Sequence, residues 1–368
     1  MSNSKSKFYT TKQIDDTKAE YRLVLGERSN GKSYALKVKA LEIYADHGGR
    51  TVWIRRYEKE ILKKNIFDMF SSLYDNGEFE RIFKGKWENV VLKNGGFYLC
   101  RYDEEEQKWI DDFQPFMKIV CVADSEHERD KSFTDLDMIV YDEFVTRGYY
   151  LYGEFVRFVN ILSTYIRERN DVVVYMLGNT VSKNCPYFAE MGLHRVFTQK
   201  QGTIDVYTLN RVINDEEIKT TIAVEIVANK GSKKSDKYFA FDNPRMKMIT
   251  SGEWELEIYP HLPFHYERYD VVGVFCIVIQ NKTLQCDCVC NEDGKYIFVH
   301  EKTSPIKEHT LTYGKLMPVT KYSHRTLFKP LTAFQRAIVN CIKSERIYYQ
   351  DNTIGELFND YVKECQNY

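Results

Sequence analysis

The eight residues GERSNGKS, at positions 26–33, match the phosphate-loop pattern G-x-x-x-x-G-K-[ST]. An apolar run at residues 21–25 precedes them and a helical pattern begins at Lys32, which gives the order strand, glycine turn, helix. Glycines let backbone N–H groups curl around a phosphate, and a helix N-terminus adds favourable partial charge. This order predicts a nucleotide site in an α/β domain. The residues expected to contact the nucleotide are Gly26, Glu27, Arg28, Ser29, Asn30, Gly31, Lys32 and Ser33.

Two residues of this loop carry specific chemistry. Lys32 is expected to bridge the β- and γ-phosphates of ATP, and the Ser33 hydroxyl is expected to ligate Mg²⁺. The competing interpretation is a lysine-bearing turn that binds no ligand. Because the match lies between a strand and a helix, we favour the phosphate loop and predict ATP and Mg²⁺ as cofactors.

A second apolar strand, MIVYDEF at residues 138–144, ends in two acids. The strand would deliver Asp142 to the C-terminal edge of the sheet, where its carboxylate can hold Mg²⁺ through water. Glu143 follows and can orient or deprotonate the attacking water. Pairs of acidic residues are also common at strand ends that lead into solvated loops with no ligand. This interpretation therefore depends on the phosphate loop upstream. The glutamate favours a hydrolysing motor over a GTPase switch, and the sequence contains no N-K-x-D guanine-reading motif.

Further polar residues follow neighbouring strands. The strand at residues 172–177 leads to Asn179, which can sense the γ-phosphate or position water, or can simply cap a turn. Arg55 and Arg56 end the strand after the phosphate-loop helix, at the edge where ligands bind in open α/β sheets. These two arginines are expected to contact the nucleotide or a neighbouring subunit, and solvated strand-end charge is an equal alternative.

Two more arginines, Arg167 and Arg169, end a helical pattern that covers residues 152–169. A guanidinium fork suits the charge of a transition-state phosphate, and in rings it usually comes from the neighbouring subunit. Cationic capping of the helix C-terminus is the alternative. The spacing alone leaves both interpretations open.

The order of elements predicts two domains. Strands alternating with helical patterns indicate an α/β domain with a mostly parallel sheet over residues 1–212. A charged, lysine- and serine-rich stretch predicts a linker at residues 213–245, and successive strands followed by two helical patterns predict an α+β domain over residues 246–368.

Composition limits the environment and the partners. The formal net charge is −1, so any nucleic-acid surface must be a local patch. The longest apolar run, residues 271–279, is far short of the ~20 residues that a membrane helix needs. The nine cysteines show no paired spacing, and no apolar signal stretch opens the sequence. We therefore expect a soluble protein of a reducing cytoplasm, with no membrane partner.

Five motifs, in order and at similar separations, resemble the DNA-packaging ATPase of phi29-like tailed phages. They are GERSNGKSYALK, VWIRRYEKE, MIVYDEF, TYIRERN and LGNTVSKNCPYF, all before residue 190. The resemblance implies an additional-strand (ASCE) P-loop core and an ATP hydrolase that forms a homomeric ring, expected to be a pentamer. Such a ring sits at the portal vertex of an empty procapsid in the host cytoplasm and drives double-stranded DNA inward. A packaging RNA is a further partner that the resemblance suggests.

The resemblance also carries over to single positions. Arg167, the first arginine of TYIRERN, matches a finger that acts on the neighbouring subunit. Arg129 matches a DNA-gripping residue in the loop before the Asp-Glu strand, and Lys131 lies close by in the sequence. The alternative is that both are charged residues of a solvated loop with no DNA contact. The C-terminal half resembles more weakly an RNase H-like, degenerate nuclease domain. An active site of that type needs several carboxylates around two metal ions, and residues 271–280 contain none, so we expect no nuclease activity.

Three functions follow from these observations. The leading hypothesis is a ring-forming DNA translocase. The second is a stand-alone P-loop NTPase of a helicase-like or chaperone-like kind. The third is a nucleotide-gated assembly protein at the portal that is not a motor. Glu143 separates the first two from the third, because only a hydrolysing enzyme needs it.

Overall fold

The computed structural model divides the chain into two compact units, Met1–Glu255 and Leu256–Tyr368. Each unit has its own sheet and its own apolar core. The described residues are 9–27, 30–57, 60, 68–124, 135–146, 150–151, 153–167, 169–180, 185–213, 216–228, 259–262, 265–279, 282–292 and 294–366.

The first unit alternates strands and helices along much of its length. Its strands are β1 (Tyr21–Gly26), β2 (Arg50–Arg55), β3 (Asn89–Lys93), β4 (Gly96–Asp103), β5 (Lys108–Asp111), β6 (Met117–Cys121), β7 (Leu136–Asp142), β8 (Val173–Asn179), β9 (Thr203–Ile213) and β10 (Glu216–Ile226). Its helices are α1 (Lys12–Asp15), α2 (Lys32–His47), α3 (Ser71–Asp75), α4 (Glu78–Phe83), α5 (Glu154–Ile166) and α6 (Pro186–Glu190).

Six strands form the parallel centre of the first sheet, in the order β6-β2-β7-β8-β1-β10. Antiparallel strands close both ends: β4 pairs with β6, and β9 pairs with β10, while β3 and β5 pair with β4. Central parallel strands are buried on both faces, which explains the nearly continuous apolar runs in β1, β7 and β8. The predicted α/β class with a mostly parallel sheet is confirmed.

Helices on both faces of this sheet fix the position of the site. On one face α2 buries Leu36 and Leu41, and on the other α5 buries Phe158 and Ile161. Because β1, β7 and β8 are parallel, their C-terminal ends meet at one edge of the sheet. The helix α2 begins at the same edge, since a short turn joins it to β1.

The predicted domain boundary at residue 212 is wrong. β9 and β10 are antiparallel partners, and β10 pairs in parallel with β1, so residues 213 and 216–226 belong to the first sheet and not to a linker. Ile222 is buried in this pairing, whereas residues 217–219 are exposed, and their charges make the start of β10 resemble a linker in sequence. The rest of the predicted linker, residues 229–245, lies outside the described residues.

The second unit is built on a separate sheet of order β15-β14-β11-β12-β13-β16. Strands β11, β12 and β13 are antiparallel in succession, whereas β14 is parallel to β11, β15 to β14 and β16 to β13. The elements are β11 (Val271–Ile279), β12 (Lys282–Asn291), β13 (Gly294–Glu301), β14 (Leu311–Tyr313), β15 (Ser323–His324), α7 (Ala333–Lys343), β16 (Ile347–Tyr349) and α8 (Asn352–Gln366). The predicted strands and closing helices are therefore confirmed. In the described part of the chain, no helix is both long and apolar enough to cross a membrane.

Candidate nucleotide-binding site

Lys32 lies at the centre of the predicted phosphate loop, as the first residue of α2. Its Nζ is 3.3 Å from the Gly26 carbonyl oxygen, 2.7 Å from that of Glu27, 3.1 Å from Asn30 Oδ1 and 3.2 Å from Asn179 Oδ1. Only 6% of the residue is exposed. These four oxygens therefore surround the amine and hold it at the C-terminal edge of the sheet.

Burial sets the electrostatics of this amine. Loss of water lowers the pKa of Lys32 from its ordinary 10.5 to about 8, and the nearby carboxylates of Asp142, Glu27 and Glu143 act in the opposite direction. A buried cation at a helix N-terminus is suited to phosphate oxygens, whose negative charge would compensate the loss of hydration.

Glycine occupies positions 26 and 31 of the loop for different structural reasons. Gly31 has φ 89°, in the left-handed region that glycine adopts without strain, and it begins the turn into α2. A Cβ at Gly26 would lie 2.8 Å from Asn30 Nδ2 and 3.2 Å from Val227 Cβ, so a side chain there would displace the Asn30 amide. Gly31 is therefore favoured by its backbone conformation, and Gly26 by the space that the Asn30 side chain occupies.

Ser33 and Asp142 contact each other across the site. The Ser33 hydroxyl donates a hydrogen bond of 3.0 Å to Asp142 Oδ1, and the carboxylate is almost fully buried. One hydroxyl and one carboxylate at this separation suit an ion that keeps several waters and takes the rest of its ligands from phosphate, which is how Mg²⁺ usually binds nucleotide. These two residues therefore fit the predicted Mg²⁺ site.

Glu143 lies beside this pair in an unusual backbone conformation. Its φ is 62°, in the left-handed region, and 61% of its side chain is exposed. It contributes to a cavity of about 450 Å³ at the end of the sheet. The residues that line this cavity are Asn30, Gly31, Lys32, Ser33, Tyr34, Asp142, Glu143, Leu177, Gly178 and Asn179.

Asn179 reaches the same cavity from β8. It pairs with Gly26 in the register between β8 and β1, and its Oδ1 accepts the hydrogen bond from Lys32. β8 lies between β1, which carries the loop, and β7, which carries the acids. The structure thus brings together three segments that the sequence analysis assigned to one site.

The two arginines at the end of β2 point to different environments. Arg55 Nη2 is 3.0 Å from Asp142 Oδ2, and its Nη1 is 3.5 Å from Glu143 Oε2, so its guanidinium bridges both acids. Arg56 is 4% exposed and donates to the Glu154 carboxylate and to the carbonyl oxygens of Glu143 and Phe144. The prediction that Arg56 contacts nucleotide is therefore wrong, because its guanidinium is committed to partners inside the fold.

The sequence profile of the podovirus DNA encapsidation protein (Gp16) family matches residues 3–208, more than half of the chain. The chain belongs to this family. It is 26% identical over 188 residues to the DNA packaging protein of Bacillus phage phi29, and 26% identical over 174 residues to that of Bacillus phage B103. These matches cover 50% and 46% of the chain, and they span only about half of each relative, 50% and 47%.

Solved structures support the fold over the whole length. The chain superposes on the phi-28 gp11 DNA packaging motor with a TM-score of 0.52 at 16% identity, covering 98% of each chain. It also superposes on the bacteriophage phi-29 viral genome packaging motor assembly with a TM-score of 0.52 at 17% identity, covering 97% of this chain and 100% of the other. At these identities the likeness concerns the fold alone.

In this member of the encapsidation family, Arg167 lies far from the cavity that Lys32 and Glu143 line. Arg169, two residues on, contacts Asp137 at 3.5 Å near the start of β7, whereas Asp142 ends the strand. A seven-residue strand spans roughly 20 Å, so Arg167 is at the opposite edge of the sheet from the acids. Its side chain is exposed, and its Nε donates to the Thr164 carbonyl oxygen at 3.3 Å.

Four predicted site residues lie outside the described residues. They are Arg28 and Ser29 of the phosphate loop and the predicted DNA contacts Arg129 and Lys131. Their predicted roles remain predictions.

One residue near the site was missed by sequence reasoning. Glu154 is 2% exposed and pairs with Arg56 behind the Glu143 turn. A signal was available, because Glu154 lies on the same helical stripe as the apolar residues Phe158, Ile161 and Tyr165. A charge on the buried stripe of a helix requires a charged or hydrogen-bonding partner.

A second cavity, of about 410 Å³, shares Tyr34 with the cavity that Lys32 and Glu143 line. Its other wall includes residues 9–11, which lie beside the loop because the Tyr9 N–H donates to the Asn30 carbonyl oxygen at 3.3 Å. The Tyr9 hydroxyl donates to Glu225 on β10 at 2.7 Å. No local pattern predicts this contact, since 216 residues separate the two side chains.

Proposed function

We propose that this chain is an ATP hydrolase that moves double-stranded DNA into a preformed procapsid, acting as a homomeric ring at the portal vertex. The observation that carries the proposal is the Ser33–Asp142 hydrogen bond of 3.0 Å, with Glu143 and Lys32 lining the same cavity, in a chain of the DNA encapsidation family. The names of its relatives, DNA packaging proteins of Bacillus phages, support the biological setting.

The side chains in the cavity have complementary tasks in hydrolysis. Lys32 and the N-terminus of α2 bind the β- and γ-phosphates of ATP, and Ser33 and Asp142 hold Mg²⁺. Mg²⁺ bound there would neutralise charge on the phosphate oxygens. Glu143 orients a water and accepts its proton as the water oxygen bonds to the γ-phosphorus and the bond to the β–γ bridging oxygen breaks.

Arg55 and Asn179 complete the proposed mechanism. Arg55 holds the carboxylates of Asp142 and Glu143 next to each other, which reduces their repulsion and keeps both aimed at the cavity. Asn179, which hydrogen-bonds Lys32, senses the γ-phosphate or positions the attacking water. The position of β8 between β1 and β7 supports an additional-strand (ASCE) core.

The position of Arg167 supports assembly into a ring. It is exposed at the edge of the sheet opposite its own cavity, so within one subunit it cannot act on the bound nucleotide. We infer that it enters the cavity of the neighbouring subunit as an arginine finger and stabilises charge in the transition state. The ring is expected to be a pentamer and to contact the portal protein.

The second unit supports a role in nucleic-acid binding without nuclease activity. Five of its six strands have the order β13-β12-β11-β14-β15, with three antiparallel strands and then two strands parallel to β11, which supports an RNase H-like sheet; β16 adds to it beside β13. β11 carries no carboxylate that could hold a catalytic ion. We infer a degenerate nuclease domain that binds DNA or a packaging RNA.

A cation-rich segment of this unit, missed in the sequence analysis, strengthens that inference. From Lys302 to Arg336 the chain has seven lysines and arginines against one acid, Glu308. Five of the cations are exposed: Lys307, Lys321, Arg325, Lys329 and Arg336. Such a segment can neutralise phosphates locally although the whole chain has a net charge of −1.

The test is ATP-dependent protection of DNA from nuclease by purified procapsids, with and without this chain. Protection that requires both the chain and ATP is the expected result. If the chain hydrolyses ATP but DNA stays unprotected, the stand-alone NTPase is favoured. If Glu143→Gln still supports packaging, hydrolysis is incidental and the non-motor assembly protein is favoured.

A further inference from the structure

A buried ion pair lies directly behind the turn that carries Glu143. The side chains of Arg56 and Glu154 are 4% and 1% exposed, and Arg56 Nε is 3.0 Å from Glu154 Oε2. Arg56 follows β2, while Glu154 is the first residue of α5. A buried charge pair is weak evidence for stability by itself, because removing two ions from water costs about as much as their attraction returns. Its other contacts are therefore more informative than the pair alone.

The remaining donors of Arg56 bind the backbone of the turn that carries Glu143. Nη1 donates to the Glu143 carbonyl oxygen at 3.0 Å, and Nη2 donates to that of Phe144 at 2.7 Å. On the other side of the turn, the Phe144 N–H donates to the Leu177 carbonyl oxygen of β8 at 3.0 Å. Arg56 and β8 thus hold the turn by hydrogen bonds on both of its sides.

The residue that these hydrogen bonds hold, Glu143, has a strained backbone conformation. Glu143 has φ 62°, and a residue with a side chain adopts this region only where surrounding contacts impose it. A glutamate released from these contacts would relax to negative φ, and that rotation would turn its carboxylate away from the cavity. The contacts of Arg56 supply the constraint that the strained conformation requires.

Glu154 is itself held by three further donors. The hydroxyls of Tyr141 and Tyr187 donate to its Oε1 at 2.8 and 3.0 Å, and the Leu151 N–H donates to Oε2 at 2.7 Å. Tyr141 is on β7, one residue before Asp142, and Tyr187 is on α6. The pair is therefore anchored to several elements around the turn and can act as a rigid support.

We propose that Arg56 and Glu154 are positioning residues for ATP hydrolysis: their ion pair holds Glu143 in the left-handed conformation that keeps its carboxylate at the nucleotide cavity. The proposal rests on the proposed ATPase function. Neither residue lines the cavity, so the pair acts on the reaction only through Glu143.

The primary test uses the full chain and three changes: Arg56→Lys, Glu154→Gln, and the double change Arg56→Met with Glu154→Gln. A lysine keeps the charge but has one ammonium group, which cannot serve a carboxylate and two separate carbonyls together. The double change leaves no buried charge unpaired, so it keeps the test open if a single change fails to fold. We expect kcat to fall about 10- to 100-fold in each folded variant.

Two further measurements separate positioning from general damage. The affinity for a fluorescent ATP analogue should remain that of the wild type, because Lys32 and Ser33 are untouched. Arg157→Lys is the matched control: Arg157 lies on α5 and binds the Ala123 carbonyl oxygen rather than the turn, and its replacement should leave kcat unchanged.

A double-mutant cycle gives the decisive outcome. If the pair acts through Glu143, adding Arg56→Lys to Glu143→Gln should cause no further loss of kcat. Folded variants that bind nucleotide and turn over at the wild-type rate would overturn the proposal, and so would losses that add to that of Glu143→Gln. If the wild-type chain hydrolyses no ATP, the proposed function fails and the positioning role falls with it.

Discussion

The Ser33 hydroxyl donates a hydrogen bond of 3.0 Å to Asp142, although 109 residues separate the two in the chain. This contact joins the helix that follows β1 to the end of β7, on either side of β8. A serine and a carboxylate at this separation would suit the protein ligands of the proposed Mg²⁺–nucleotide site.

The first prediction concerns metal dependence. Asp142→Asn should raise the Mg²⁺ concentration for half-maximal ATP hydrolysis about 10- to 100-fold, because the carboxylate holds the ion through water. Titrating Mg²⁺ at saturating ATP measures this shift. Asp75→Asn, at an exposed acid outside the cavity, should leave the titration unchanged. An unshifted midpoint in Asp142→Asn would contradict the assigned role.

The second prediction concerns Glu143, the proposed catalytic base. Glu143→Gln should lower kcat about 10²- to 10⁴-fold, because the amide cannot accept the proton of the attacking water. ATP binding should persist, since Lys32 and Ser33 hold the phosphates. Single-turnover hydrolysis and equilibrium nucleotide binding measure the two effects, with Glu190→Gln at an exposed helix end as the control. Equal losses of binding and turnover would point to a damaged cavity instead.

The third prediction concerns Arg167. Mixtures of Glu143→Gln and Arg167→Ala subunits should regain hydrolysis at mixed interfaces, where an intact finger meets an intact cavity. Arg169→Ala serves as the neighbouring control, because Arg169 is engaged with Asp137 and Asp171 in its own subunit and should retain activity without mixing. The absence of rescue at any ratio, with both variants assembled, would argue against action across subunits.

The fourth prediction follows from the lowered pKa of Lys32. The folded state holds this amine with a pKa of about 8 and the unfolded chain with one near 10.5, so between these values the unfolded state binds more protons. The free energy of unfolding should therefore rise from pH 8 to 10.5 through this residue, by about 3 kcal/mol, and this contribution is lost as the pH falls through 8.

Lys32→Met isolates this contribution, because it removes the titrating group. Without nucleotide, Lys32→Met should be more stable than the wild type at pH 7, and the difference should shrink as the pH rises above 8. Denaturant unfolding of both proteins from pH 7 to 10 measures it. A difference that does not change with pH would mean that burial does not disfavour the charged amine.

The fifth prediction concerns the cation-rich segment of the second unit. Replacing Arg325 and Lys329 with alanine should weaken DNA binding and reduce the slope of log K against log salt by about 0.9 for each phosphate that is no longer neutralised. Lys84→Ala with Lys86→Ala removes two exposed cations of the first unit and serves as the control. Equal effects of the two pairs would indicate non-specific charge attraction.

Much of the fold could be predicted from local patterns. The hairpin of β3 and β4 follows its glycine turn, and the helices α7 and α8 follow their apolar periodicity. The boundary near residue 212 failed because the pairing of β10 with β1 joins segments about 200 residues apart, and the start of β10 is exposed at residues 217–219, two of which are charged. Long-range pairing leaves little trace in the composition of one strand.

The sequence by itself determined the phosphate loop, the acid pair and the family. The reason is that each depends on residue types at fixed local spacing, next to a strand whose direction is implied by the order of elements. Only the tertiary structure decided between Arg55 and Arg56, which sequence patterns treat alike. Successive residues of an extended chain project to opposite sides, so one guanidinium reaches Asp142 and Glu143 while the next is buried against Glu154.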